Sequence, residues 1–168
     1  MLFRSADAAR RYLRGAREFD DSEREHIIMQ VRALLDDQRF AELFRPASRA
    51  EVPIVARLAN PNAKRAALSL VGQIDRFVEL KDEVLIVDYK TNRPPPERVQ
   101  DVAPAYLFQL AAYRLALREI YVGRVIKAAL LWTAAPRIMM VPEQLLDDYA
   151  SRLWDLDALH LDAGEGRS

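Results

Sequence analysis

Apolar residues recur along the chain with two different spacings, and each spacing predicts a different kind of element. Between residues 22 and 37 they recur every three or four positions, which predicts an amphipathic helix. The sequence Ser22-Glu23-Arg24-Glu25 resembles a capping box at its start, where the Ser22 hydroxyl and the Glu25 carboxylate satisfy free backbone amides. A more arginine-rich helix is predicted before it, over residues 7–18. The apolar stripe of the second helix comprises Ile27, Ile28, Val31, Leu34 and Leu35.

Three runs rich in valine, isoleucine and leucine follow and predict consecutive β-strands. They cover residues 51–58, 67–80 and 83–90. Because Lys81-Asp82 is short enough for a tight turn, the second and third strands should pair antiparallel. The three prolines within residues 92–96 cannot continue a central strand, so this segment should be a stiff connector.

The second half of the chain predicts a helix, two strands and a closing helix. The helix begins near Arg98 or Pro104 and ends near Tyr121, and the strands cover residues 125–133 and 137–141. Pro142 suits the first turn of the closing helix, which extends to about residue 160 and buries a further apolar stripe. That stripe comprises Leu145, Leu146, Tyr149, Leu153 and Leu156.

These elements predict one α/β domain with a central mixed sheet of about four or five strands flanked by helices. Its expected parts are a helical lead-in over residues 1–49, an α/β core over residues 50–141 and a closing helix over residues 142–160. The length of 168 residues, 51% of them hydrophobic, suits a single domain with a substantial core.

Composition excludes several kinds of protein. The chain has no cysteine, which excludes a disulfide framework, a thiol nucleophile and a zinc site built on thiolates. No apolar run reaches the roughly 18 residues that a membrane span needs, and no signal peptide is visible. We therefore expect a soluble cytoplasmic protein. The net charge of +0 conceals a mildly basic stretch over residues 51–142 and an acidic tail, which is a weak indication of a nucleic-acid partner.

Two acids and a lysine carry the chemistry that the sequence indicates. Asp88 and Lys90 lie two apart at the end of a predicted strand, so their side chains share one face. Asp75 ends the preceding apolar run and should lie beside Asp88 if the two strands form a hairpin. A buried pair of carboxylates must share a proton or bind a cation, and Mg²⁺ or Mn²⁺ takes such ligands together with water. The set is sufficient for metal-assisted phosphodiester hydrolysis, with Lys90 orienting the water or stabilising the developing charge.

Gln109 and Tyr113 lie four residues apart on the next helix, and therefore on one face of it. If this helix packs beside the strand that carries Asp88, the amide and the phenol reach either the metal pocket or a DNA backbone. Two simpler interpretations remain open: Tyr113 as a core residue with its hydroxyl at the rim, and Gln109 as a satisfied amide on the helix surface. Trp132 and Trp154 are more typical of core residues than of base-stacking platforms.

Three motifs, in order, resemble the RecB-like branch of the PD-(D/E)XK nucleases. They are Gly72-x-x-Asp75, Asp88-Tyr89-Lys90-Thr91 and Gln109-x-x-x-Tyr113. From about residue 50 to its end, the chain resembles the C-terminal part of the A subunit of bacterial AddAB helicase-nucleases. The resemblance implies a restriction-endonuclease-like core and metal-dependent DNA cleavage during the repair of double-strand breaks by recombination. The implied partners are DNA, a helicase portion of the same full-length chain and a second helicase-nuclease subunit.

The resemblance also implies a role for each matching residue. Asp75, Asp88 and the backbone carbonyl of Tyr89 would bind Mg²⁺ or Mn²⁺, and Lys90 would be catalytic together with the two acids. The remaining matched positions would bind DNA or support the site, and Arg76 is added to them as a neighbouring cation. These supporting residues are Gln109, Tyr113, Thr91 and Arg76.

One departure from the family pattern concerns a metal-binding histidine that RecB-like nucleases carry on an upstream helix. His26 follows Glu25 in a different setting and is best interpreted as a residue on the helix surface. Glu51 could substitute from its strand, although a solvent-facing or structural role fits it better. We expect the chain to be a fragment or shortened relative that begins after the missing helix. The alternatives are a degenerate nuclease fold that binds DNA or a partner subunit, and a purely structural domain.

Overall fold

The structure is a computed structural model, and it describes residues 11, 19–62, 64 and 66–155 of the chain. The arginine-rich helix predicted over residues 7–18 lies outside the described residues, apart from residue 11, as do the last residues of the predicted closing helix. None of the helices within the described ranges is long and apolar enough to cross a membrane.

Helix α1 spans Asp21–Asp36 and buries Ile28 and Leu34 from the predicted apolar stripe. The capping box predicted at Ser22 is wrong. The N-cap is Asp20, whose carboxylate accepts from the Glu23 amide at 2.8 Å, while the Glu23 carboxylate accepts from the Asp20 amide at 2.8 Å. The motif is of the predicted kind, and it begins two residues earlier.

Five strands form one mixed sheet, which confirms the predicted mixed sheet of about four or five strands, and their order is β1-β2-β3-β4-β5. The pairs β1–β2, β2–β3 and β4–β5 are antiparallel, whereas β3 and β4 are parallel. The first strand begins three residues earlier than expected. The bounds are β1 Ser48–Leu58, β2 Leu68–Glu79, β3 Glu83–Lys90, β4 Val125–Trp132 and β5 Arg137–Val141.

Helix α2, Pro104–Ile120, connects the parallel strands β3 and β4 and covers one face of the sheet. Helix α3, Glu143–Ser151, packs against α2 on the same side. Pro142 precedes α3 as its N-cap residue rather than lying in its first turn, and a short 3-10 helix, Leu153–Asp155, follows. The opposite face is covered by another 3-10 helix, Gln38–Phe44.

Strand β3 is buried on both faces, which explains its nearly continuous apolar sequence. Val84 and Ile86 belong to the core beneath α2, and Val87 belongs to the core beneath the 3-10 helix Gln38–Phe44. Asp88 continues the row of Val84 and Ile86, because alternate residues of a strand share a face. A carboxylate is thereby placed at the edge of the main core.

Strand β2 changes the face to which its side chains point close to Asp75. Ile74 and Phe77 both belong to the core beneath α2, although three residues separate them, and Val78 belongs to the opposite core. Strict alternation would put Ile74 and Phe77 on opposite faces. The irregularity lies opposite Glu51, whose φ of 52° is in the left-handed region. A local irregularity of this kind redirects side chains, here at the position of Asp75.

Candidate metal centre and active site

Asp88 and Lys90 form a buried ion pair at the end of β3. The Lys90 ammonium lies 2.5 Å from the Asp88 Oδ2, and the side chains are only 13% and 7% exposed, respectively. Lys90 Nζ also lies 3.8 Å from the centre of the Tyr106 ring and 3.4 Å from Gln109 Oε1. Three contacts therefore fix the position of the ammonium group next to the carboxylate.

The Asp75 carboxylate accepts a hydrogen bond from the backbone of the same strand, β3. The ladder between β2 and β3 ends at the pair Arg76 and Val87. Beyond that point the Tyr89 amide donates to Asp75 Oδ2 at 2.7 Å instead of to a β2 carbonyl. The Asp75 carboxylate thus satisfies the backbone donor that the end of the ladder leaves without a partner, and it is held next to the strand segment that carries Asp88.

The two acids share one electrostatic environment. Burial raises the pKa of Asp88; Lys90 opposes this shift, and the charge of Asp75 adds to it. Burial also raises the pKa of Asp75, against the hydrogen bond from Tyr89 and the charge of Lys90, and Glu51 adds to the rise. Keeping both carboxyl groups ionised therefore costs free energy, and a bound divalent cation would offset that cost.

Gln109 and Tyr113 connect this centre back to β2. Gln109 Nε2 donates to the Tyr113 hydroxyl at 3.3 Å, and that hydroxyl donates to the Gln73 carbonyl at 3.2 Å. The Gln73 amide donates to the same hydroxyl at 3.2 Å. Gln109 is 5% exposed and Tyr113 is 1% exposed, so their burial favours support of the site over direct contact with DNA.

Gly72 allows this arrangement because it has no side chain. A Cβ at residue 72 would lie 2.4 Å from the Tyr113 hydroxyl and 2.8 Å from Tyr113 Cε1. Both distances are far inside normal contact. The glycine of the first motif therefore leaves room for the tyrosine of the third. Gln73 and Tyr113, which form the adjoining hydrogen bonds between β2 and α2, lie 40 residues apart in the sequence.

The sequence matches the PD-(D/E)XK nuclease superfamily over residues 2–163, nearly its full length. The chain belongs to the PD-(D/E)XK nuclease superfamily. Its five-stranded mixed sheet with flanking helices agrees with the restriction-endonuclease-like fold of that superfamily.

Among solved structures, the crystal structure of SSO0001 matches 89% of this chain and 71% of its own, at 12% identity and a TM-score of 0.40. No curated protein matches the sequence.

Arg76 lies on the face of the sheet away from this PD-(D/E)XK centre. It is 7% exposed; its Nε donates to the Tyr89 hydroxyl at 3.0 Å, and its guanidinium lies 5.2 Å from the centre of the Phe44 ring. The Tyr89 amide donates to Asp75. The hydrogen bond from Arg76 to the Tyr89 hydroxyl therefore helps to position Asp75 from the opposite face of the sheet. Thr91, directly after β3, is exposed.

The donor set fits a hard divalent cation. Asp75 and Asp88 offer carboxylate oxygens, and Mg²⁺ characteristically takes one or two carboxylates and retains several waters. Within the described residues, no cluster of three histidine, aspartate, glutamate or cysteine side chains is placed to hold an ion. His26 is exposed on α1 and contacts Gln30, outside this group. Asp75 and Asp88 are therefore two candidate ligands, and no third described side chain of these types joins them.

Sequence reasoning missed three features that shape the site. The contact between Gly72 and Tyr113 required knowledge of how α2 packs, although both residues stood in recognised motifs. The left-handed backbone of Glu51 has no sequence signal, because glutamate is not a residue that favours it. Tyr106 was also missed: it lies three residues before Gln109, and nothing in the sequence marks it as part of the site until its ring is found against Lys90.

Proposed function

We propose that this protein is a metal-dependent deoxyribonuclease that hydrolyses phosphodiester bonds at the centre formed by Asp75, Asp88 and Lys90. The observation that carries the proposal is the ion pair of Lys90 with the buried Asp88, next to an Asp75 whose carboxylate is fixed by the Tyr89 amide. Membership of the PD-(D/E)XK nuclease superfamily supports the same chemistry.

Asp75 and Asp88, with the Tyr89 carbonyl, would hold Mg²⁺ or Mn²⁺. The cation would polarise the scissile phosphate and lower the pKa of a bound water. Lys90 orients that water or neutralises charge on the phosphate, and its ammonium is already held by Gln109 and Tyr106. The Tyr89 amide keeps Asp75 oriented. Tyr113 fixes the helix that carries Gln109 against β2.

The finer proposal is a RecB-like nuclease domain similar to the C-terminal part of an AddA subunit. The spacing of Gly72-x-x-Asp75, Asp88-Tyr89-Lys90-Thr91 and Gln109-x-x-x-Tyr113 supports it. In this role the domain cleaves DNA as an exonuclease during recombinational repair of double-strand breaks in a bacterial cytoplasm. Its partners are a helicase portion of the same full-length chain and a second helicase-nuclease subunit.

A second candidate function is a degenerate nuclease fold that binds DNA or a partner subunit without cleaving. The observation in its favour is that the described side chains provide only two ligands for a metal ion, and the upstream histidine of RecB-like nucleases is not among them. This alternative predicts DNA binding without metal-dependent hydrolysis.

Cleavage of linear single- and double-stranded DNA tests the proposal. The wild type should degrade DNA with Mg²⁺ or Mn²⁺ and not with EDTA, and Asp88→Asn should lower the rate about a hundred-fold or more, because the cation loses a charged ligand. Asp82→Asn, the same change at an exposed position in the β2–β3 turn, is the matched control and should leave cleavage unchanged. DNA binding with no cleavage under any of these metals would instead support the degenerate fold.

A further inference from the structure

An open pocket of about 380 Å³ adjoins the proposed active site. It lies beyond the ends of β3 and β4, and its volume is within the range of small-molecule sites. Its walls include Asn92, the prolines at 94–96, Tyr106 and Trp132. Most of this surface is aromatic or aliphatic.

Tyr106 belongs both to the pocket and to the active site. Its ring contacts the Lys90 ammonium at 3.8 Å on one side, and its hydroxyl donates to Asn92 Oδ1 at 2.9 Å. Its ring centre lies 6.4 Å from that of Trp132, at an angle of 59° between the planes. Tyr106 therefore contacts Lys90 and also lines the pocket.

Trp132 is a lining residue of the same pocket and carries a buried polar atom. The side chain is 2% exposed, and its indole N–H is buried without a hydrogen-bond acceptor among the described residues. Because this nitrogen is closed to solvent, it offers no hydrogen bond to a ligand in the pocket as the side chain stands.

The charge of the pocket lining favours a base over a phosphate as the ligand. Asp101 is the charged residue among the described lining residues, and Arg98 already pairs with it at 2.8 Å. A wall with no cation of its own, and with a carboxylate at its edge, does not suit a phosphate. Aromatic and proline faces suit a flat heteroaromatic ring, and every nucleobase is such a ring.

We propose that this pocket holds an unpaired nucleobase of the nucleotide next to the scissile phosphate, packed against the half-buried ring of Tyr106. The proposal rests on the proposed nuclease function, since that function brings DNA to Lys90. It adds that the enzyme binds single-stranded DNA at this pocket, because moving a base out of a duplex would cost free energy.

Trp132 itself can report on the pocket. Trp154→Phe leaves Trp132 as the one remaining tryptophan of the two in the chain. An eight-nucleotide oligothymidylate, added in EDTA to prevent cleavage, should change the Trp132 fluorescence, whereas an abasic oligomer of the same length should not. Equal changes with both oligomers would overturn the proposal, because the backbone alone would then account for the signal.

Affinity provides the second measurement. Fluorescence anisotropy of end-labelled oligomers in EDTA should show that Tyr106→Leu weakens binding of the oligothymidylate about tenfold, the scale of one stacked base, and leaves abasic binding within about twofold. Asn62→Ala, at an exposed asparagine in the β1–β2 connection, is the control and should change neither. Equal weakening of both oligomers, or of neither, would overturn the base pocket while leaving the nuclease proposal intact. Absence of DNA binding by the wild type in EDTA would overturn the base pocket, and absence of cleavage with Mg²⁺ or Mn²⁺ as well would overturn both.

Discussion

Replacing Lys90 with alanine is expected to lower the rate of metal-dependent DNA cleavage about a hundred- to ten-thousand-fold. The reason is positional: the ammonium group lies 2.5 Å from Asp88 and is held by Gln109 and Tyr106, so no neighbouring cation can take its place without rearrangement. Metal binding should not weaken, because the change removes a positive charge that competes with the cation for Asp88. Loss of cleavage with retained metal affinity would assign Lys90 to the chemical step.

Removing one partner of a buried ion pair also affects stability. Lys90→Met keeps most of the aliphatic side chain against Tyr106 and is therefore the gentler form of the same test. The matched control is Lys127→Ala on β4, where the lysine pairs with Glu83 and is 41% exposed. If Lys90→Met cleaved DNA within about threefold of the wild type, the assignment of Lys90 would be wrong.

The second large effect concerns the fold around the site. Gly72→Ala should lower the free energy of unfolding by about 1–3 kcal/mol, the usual range for overpacking a filled interior. The new Cβ would meet the Tyr113 hydroxyl at 2.4 Å, and that hydroxyl is fixed by bonds to both backbone groups of Gln73. Urea denaturation in EDTA measures the change.

A double-mutant cycle shows whether Tyr113 is the cause. Adding Tyr113→Ala to Gly72→Ala should cost less than the sum of the two single changes, because the clash disappears with the ring. Gly123→Asn is the control: φ at Gly123 is +81°, which asparagine tolerates better than other residues, and no atom lies within 4 Å of a Cβ there. Strictly additive effects of the changes at 72 and 113 would contradict the contact.

The fold was largely predictable because its apolar runs are long and uniform. The bounds of β3 and β5 coincide with the predicted ones, and the pairing of β2 with β3 follows from the short turn at residues 81–82. The N-terminal cap was not predictable, since Asp20-x-x-Glu23 and Ser22-x-x-Glu25 both satisfy the local rule. Only the backbone conformation at Asp20 decides between them.

For the site, local rules placed Asp88 and Lys90 on one face, and that much required only the alternation of a strand. The position of Asp75 depends on an irregularity in β2 that breaks the same alternation, so no local rule could give its orientation. Arg76, next to Asp75 in sequence, lies on the opposite face, as alternation requires, and its contact with the Tyr89 hydroxyl depends on the pairing of β2 with β3.

The central claim is that Asp75 and Asp88 together form a site for a divalent cation, and Mn²⁺ binding followed by electron paramagnetic resonance tests it most directly. The wild type should bind Mn²⁺ at neutral pH, and Asp88→Asn should bind at least roughly tenfold more weakly. Because the pKa values of both carboxyls are raised, protons should compete with the metal, and wild-type affinity should fall as the pH is lowered toward the ordinary aspartate range. Equal Mn²⁺ affinity in the wild type and Asp88→Asn, with no dependence on pH, would contradict the claim.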